Sequence, residues 1–342
     1  MNGVQFRDLP RRIDRRLYDE AAACYARCVA PRVRGLYQVG NVSYPGLSDI
    51  DMVAVVDQAR WDNNQFFSPF LRLPEAYRNL FHHGPRVVPM TCLDAVKFGS
   101  TGHQPVSDDA APATGAGSRR RLLVGTDALG PRTASLSPPW LACRVLEAAY
   151  LFRLALDELH AAPSVSAARM VSRAVALRYP MRHLAVLMAV DYDGEYDRAL
   201  DQCRAALLED DMSMRARSQT ALEAFDLFSS ALTRFESGVR SYFELPAGAD
   251  VGLAAKEMLS GRMPINGADP SFIAARHDCM RSYHDALRAY GFSHGSIFAT
   301  SPYDGRYAAY RQPLLLRVAA GAAYRVHKFI ARPSWRSVAA PT

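Results

Sequence analysis

Val39-Gly40-Asn41-Val42-Ser43-Tyr44-Pro45-Gly46-Leu47-Ser48-Asp49-Ile50-Asp51-Met52-Val53 is the stretch on which the reading of this chain turns. It begins where a short apolar run, Gly35 to Val39, meets a glycine. Tyr44-Pro45-Gly46 is turn chemistry, because proline presets φ and glycine accepts backbone angles that other residues avoid. Asp49 and Asp51 then stand two apart, ahead of the apolar run Met52-Val53-Ala54-Val55-Val56. In a strand, residues i and i+2 share one face and lie ~7 Å apart. Two carboxylates that close repel unless a cation answers them. Mg²⁺ is the natural answer, since it takes oxygen ligands and keeps waters and substrate phosphates in its shell. A glycine just upstream lets backbone approach a phosphate closely. The plainer alternative is a solvated Asp-x-Asp at a strand edge, with Ser48-Asp49 part of a turn.

Working outward, residues 13–30 carry an amphipathic helix. Ile13, Leu17, Ala21, Cys24 and Cys28 fall at helical spacing, Asp14 sits near the start and Pro31 ends it. Residues 65–82 read as a second helix, and 86–93 (RVVPMTCL) as a strand. Residues 120–130 form a short strand with a Gly-Thr-Asp turn. Residues 99–120, rich in small residues, Pro and Gly, read as a long loop. After Pro138-Pro139 the pattern becomes helical over 140–161, 165–190 (broken near Pro180), 195–209, 214–243 and 271–290. The fold class that follows is α+β. An α/β domain with a mixed sheet is expected over 1–135, and a helical bundle over 136–342 as an acceptor-binding or interaction region.

Composition narrows the classes. An apolar content of 49% and a charged content of 22% are those of an ordinary globular protein. No uncharged apolar run reaches the ~18 residues a membrane span needs, and the first twenty residues lack the apolar core of a secretory signal. The expected compartment is the cytoplasm. The six cysteines form no C-x-x-C pair and stand beside no histidine cluster, so reduced, buried thiols are expected. The formal charge of +7 invites a nucleic-acid partner. Yet only three of the 41 cations are lysine, the imbalance that a GC-rich coding sequence produces, so local clusters count for more than the total.

The order strand, Gly40-Asn41, turn, Ser48-Asp49-Ile50-Asp51-Met52-Val53-Ala54-Val55-Val56 resembles the signature of the polymerase β-like nucleotidyltransferase superfamily. Gly40 falls on that family's glycine, and Asp49 and Asp51 on its two metal-binding carboxylates. Leu122-Leu123-Val124-Gly125-Thr126-Asp127 looks like a weaker stretch that often closes the family's domain. The resemblance covers residues 15–135, and its specific part is fifteen residues long. It implies Mg²⁺-dependent transfer of a nucleotidyl group from an NTP, ATP first, to a hydroxyl of a small molecule or protein, with release of pyrophosphate. Asp49, Asp51 and a third acid would hold the metal. Gly40, Asn41, Ser43 and Ser48 would face the triphosphate.

Two departures stand out. Asn41 occupies a position where the family carries Ser or Gly; its amide donates to phosphate, and Ser43 offers a hydroxyl nearby. The strand 86–93 has no acid in its middle, which leaves Asp94 at its end as the third carboxylate, with Asp127 behind it. The other reading of Asp94 is a helix N-cap. Without a third acid the chain becomes a nucleotide-binding or interaction protein on a degenerate scaffold. RNA 3′-ends are a rival acceptor, although aromatic and basic residues do not interleave as in an RNA-binding module. Arg119-Arg120-Arg121 reads either as a solvated basic edge or as a clamp on phosphate. Residues 313–332 carry Arg317, Gly321, Arg325, Lys328 and Arg332 on one stripe of an apolar helix, which packs in the bundle or lies on an anionic membrane surface.

Overall fold

The computed structural model describes residues 6–40, 42–57, 69–70, 72–78, 80–81, 85–93, 121–129, 138–161, 165–265 and 270–289. Residues 1–299 make one compact unit. Asn41, Asp94, the loop 99–120 and the stripe 313–332 lie outside the described residues.

The first half supplies a four-stranded mixed sheet. Its strands are β2 (Gly35–Val39), β3 (Asp51–Val56), β4 (Arg86–Pro89) and β5 (Arg121–Gly125), in the order β4-β3-β2-β5. β3 and β4 run parallel; β2 is antiparallel to both β3 and β5. Alternation along β3 sorts its side chains. Met52, Ala54 and Val56, with Ile50 just before them, enter the larger core beneath helix α1 (Arg15–Val29). Val53 and Val55 enter a smaller core on the opposite face, with Tyr37, Val39, Val88 and Leu129. Asp51 pairs with Val39 and so belongs to this second face.

Helix α1 starts where Asp14 accepts the Arg16 N–H at 2.9 Å, an N-cap. Its buried stripe is Tyr18, Ala21, Ala22, Tyr25, Ala26 and Val29. That corrects the expected face: the helix is turned so that two tyrosines fill the core, while Cys24 moves to the flank and Cys28 is exposed. All six cysteines are free, and Cys92 and Cys143 are the buried ones. The expected helix over 65–82 is also corrected. Pro74 interrupts it, since proline has no N–H to continue the ladder. The carbonyl of Pro74 then accepts from Tyr77 and Arg78 as the short helix α2 (Glu75–Arg78) begins.

The helical part contains α3 (Pro138–Ala161), α4 (Ala167–Leu187), α5 (Glu195–Leu207), α6 (Met214–Tyr242), α7 (Val251–Leu259) and α8 (Pro270–Ala289). α3 packs on α4 and α7, and α6 packs on α4 and α5. α4 runs unbroken through Pro180, contrary to the expected break. It is gripped on two sides by α3 and α6, and packing outweighs one lost backbone bond. α7 was not anticipated; Asp250 caps it through the Leu253 N–H at 2.7 Å. β1 (Phe6–Asp8) pairs in parallel with β6 (Val165–Ser166), just before α4.

A buried arginine ties the ends together. Arg217, on α6, donates to the carbonyls of Pro10 (2.9 Å), Leu207 (3.0 Å), Met212 (3.2 Å) and Asp210 (3.5 Å), and also to that of Glu209. Its guanidinium closes the end of α5 and the segment leading into α1 at once. Among the described residues no helix is long and apolar enough to cross a membrane.

Candidate functional site

The corner between β2 and β3 is assembled from the fifteen-residue stretch. β2 ends at Val39, and Gly40 takes φ +79°, which turns the chain out of the sheet. Val42 is buried, Ser43 is exposed, and a tight turn follows. The Leu47 and Ser48 N–H groups both donate to the Tyr44 carbonyl, at 2.9 and 2.8 Å. The Tyr44 N–H donates back to Ser48 Oγ at 3.1 Å. The structure therefore places the Ser48 hydroxyl oxygen inside the turn, whereas Ser43 stands in solvent.

Three outside contacts hold this turn. Gly46 lies so close to the Arg11 carbonyl that a Cβ there would stand 2.0 Å from its oxygen. The Tyr18 hydroxyl, rising from α1, accepts the Gly46 N–H at 2.8 Å and donates to the Ser48 carbonyl at 2.9 Å. Burial, with a smaller push from the Asp49 carboxylate, moves the Tyr18 hydroxyl up to about 12, so it stays protonated. On the other side the Tyr44 ring lies over the Arg204 guanidinium of α5, 3.8 Å from centroid to Cζ.

Past the turn, Ile50 is fully buried and its N–H donates to Leu80 at 2.9 Å, which pins the backbone between the two acids. Asp49 and Asp51 are both half-buried. A Cβ on Gly40 would sit 3.9 Å from Asp51 Oδ2, so the glycine lies beside that carboxylate at ordinary van der Waals distance. Gly40 thus lies beside Asp51, while Asp49 stands two residues earlier, ahead of the first residue of β3.

The third carboxylate is another matter. Gly125 pairs with Gly35, while Asp51 pairs with Val39 at the other end of β2. Asp127, beyond Gly125, therefore lies a strand length from Asp51, about 13 Å at ~3.3 Å per residue. Its carboxylate accepts from the Tyr37 hydroxyl at 2.9 Å, and that hydroxyl also accepts the Ala128 and Leu129 N–H groups at 2.7 and 3.1 Å. Asp127 is held by Tyr37 and does not reach the corner. Asp94 lies outside the described residues; the strand before it ends at Pro89, opposite Val56, the end of β3 remote from Asp51. Among the described residues no group of three or more acids, histidines or cysteines is placed to hold a metal.

Arg121 of the basic triplet is engaged on the far edge of the sheet. Its guanidinium donates to Gln38 Oε1 at 2.7 Å and Asp19 Oδ1 at 3.0 Å. Arg119 and Arg120 lie outside the described residues. Sequence reasoning missed Tyr18 and Arg204, both far along the chain from the turn they hold. The pair Asp201 and Arg204, three apart on a helix, was the one local signal for the latter.

No family model matches the chain, and no curated protein or solved structure matches it.

Proposed function

We propose that the corner formed by Gly40, Asp49 and Asp51 binds the phosphates of a nucleoside triphosphate with Mg²⁺, ATP first, and serves nucleotidyl transfer to a hydroxyl of a small molecule or protein, with release of pyrophosphate. One observation carries this reading. Two half-buried carboxylates, i and i+2 across a fully buried isoleucine, stand at the mouth of β3, where a Cβ on the left-handed Gly40 would lie 3.9 Å from Asp51 Oδ2. The donor set fits a hard cation, being oxygen only, and two negative charges two residues apart are eased by one. Asp49 and Asp51 would hold the metal, which supplies charge neutralisation at the phosphates. Gly40 leaves room for phosphate oxygens, and Ser43 offers an exposed hydroxyl. The rigid turn fixes the approach, since Tyr18, Arg11 and Arg204 grip it from three sides.

A second reading, nucleotide binding without transfer, draws on one specific feature. Val88, the β4 residue paired with Val55 on the acid-bearing face, is apolar, and Asp127 is at the wrong end of the sheet. One experiment separates the two. Mg·ATP binding is measured by calorimetry, and pyrophosphate release is followed with labelled NTPs against metabolite, protein and tRNA pools. Transfer predicts binding with release, both abolished by Asp49→Asn with Asp51→Asn. Binding without release from any pool selects the second reading. Binding that survives the double substitution removes both.

A further inference from the structure

Beside the turn, on the α4–α5 face, three arginines share two aspartates. Arg178 Nη2 and Arg204 Nη1 both donate to Asp201 Oδ1, at 3.1 and 2.9 Å. Arg178 Nε also lies 3.8 Å from Asp197 Oδ1, and Arg182 bonds the other oxygen of Asp197. The Tyr192 hydroxyl adds a hydrogen bond to Asp197 at 3.1 Å. The cluster thus holds three guanidiniums against two carboxylates, an excess of one positive charge. It is also largely removed from water: the side chains of Arg178 and Arg204 are 13% and 8% exposed. The Nε atoms of Arg178, Arg182 and Arg204 are shut off from solvent and have no hydrogen-bond acceptor. Buried guanidiniums in surplus are costly, and an oxyanion is what removes the cost.

From this we infer that Arg178 and Arg204 receive an anionic oxygen group, a phosphate or a carboxylate, of a molecule bound beside the 44–48 turn. The opening is at Asp201, whose side chain is 40% exposed, and at Tyr44, which lies half-buried on Arg204. Asp201 occupies the guanidinium donors until a better oxyanion displaces it; a phosphate brings more acceptor oxygens and suits the planar fork of arginine. Burial and the neighbouring Arg178 charge both lower the Arg204 proton affinity, as expected of a cation short of counter-charge. The turn carries the cluster toward the carboxylates: Tyr44 is bonded to Ser48, and Asp49 follows directly. That the anion belongs to a substrate of the Asp49–Asp51 corner rests on the nucleotide-site reading; the anion site itself does not.

The test uses the full chain and two probes, inorganic phosphate and malonate, titrated by calorimetry in EDTA so that no metal contributes. The wild type is expected to bind at least one of them. Asp201→Asn removes the competing carboxylate with little change of shape at a partly exposed position, and is expected to tighten that binding about three- to tenfold. Arg178→Gln is expected to weaken it at least about tenfold. Asp49→Asn with Asp51→Asn is expected to leave it unchanged. Displacement of the probe by Mg·ATP assigns the site to the nucleotide's phosphates, and simultaneous binding assigns it to the acceptor. The proposal is overturned if neither probe binds, or if Asp201→Asn leaves binding unchanged or weakens it. Failure of Mg·ATP to bind while the probe still does refutes the nucleotide reading alone.

Discussion

Gly40 and Gly46 sit six residues apart on the same corner, and alanine should expose two different reasons for glycine. Both have positive φ, +79° and +108°. At Gly40 the added carbon would meet only Asp51 Oδ2, at 3.9 Å, an ordinary van der Waals distance. The cost of Gly40→Ala is then the backbone term alone, ~1–2 kcal/mol, or roughly 2–6 °C in Tm. At Gly46 the carbon would lie 2.0 Å from the Arg11 oxygen and 2.9 Å from its carbonyl carbon, both rigid backbone. Gly46→Ala must drive the turn off the segment before α1, with a loss of at least ~4 kcal/mol. The ligand ranking differs. A methyl beside Asp51 Oδ2 takes the space a phosphate oxygen would use, so Gly40→Ala should fold yet bind Mg·ATP about tenfold more weakly, ~1.4 kcal/mol. Thermal melts and calorimetry on the two variants decide it. Equal destabilisation by both would defeat the steric argument. A folded Gly40→Ala that binds Mg·ATP like the wild type would show that the glycine is not there for ligand approach.

Tyr18→Phe keeps the ring but strips the Gly46 N–H and the Ser48 carbonyl of their partner; the expected cost is ~2–4 kcal/mol, read by urea unfolding, and a change below ~0.5 kcal/mol would show that the clamp is incidental. His183 lies against Trp140 at 5.5 Å, and burial, with Arg144 and Arg182 nearby, holds its pKa down to about 3. Because the folded value is below the unfolded one, the stabilisation is whole above pH ~6.5 and is lost as pH falls toward 3, a term of order 3–5 kcal/mol. Unfolding free energies of the wild type and His183→Gln across that range should converge at low pH, and parallel curves would refute the assignment.

How far the fold was legible depended on how local its causes are. β3 announces itself through five consecutive apolar residues, and α1 through spacing and an N-cap aspartate. Yet the buried face of α1 differs from the expected one: Ile13, Leu17, Cys24 and Cys28 carry the apolar rhythm in the sequence, whereas the Tyr18 and Tyr25 rings fill the core. The two-residue strand β6 is too short to carry a period. α4 persists through Pro180 because its neighbours hold it, a fact absent from its own sequence.

The site divides along the same line. Gly40, Asp49 and Asp51 lie within twelve residues, and the pairing of β2 with β3 sets Gly40 beside Asp51. What makes their arrangement rigid is remote: the Tyr18 contact spans 30 positions, and the Arg217 bond to Pro10, just ahead of the segment that abuts Gly46, spans 207. A turn that leads into two like charges is not self-sufficient, since repulsion works against holding them side by side. The restraint has to be supplied from outside the motif, here by a hydroxyl, a backbone carbonyl and a stacked guanidinium. A short motif therefore marks where the two acids are placed, while the surrounding fold decides whether the placement is held. In this chain it is held from three sides, and the guanidinium that holds one of them belongs to the cluster with charge to spare.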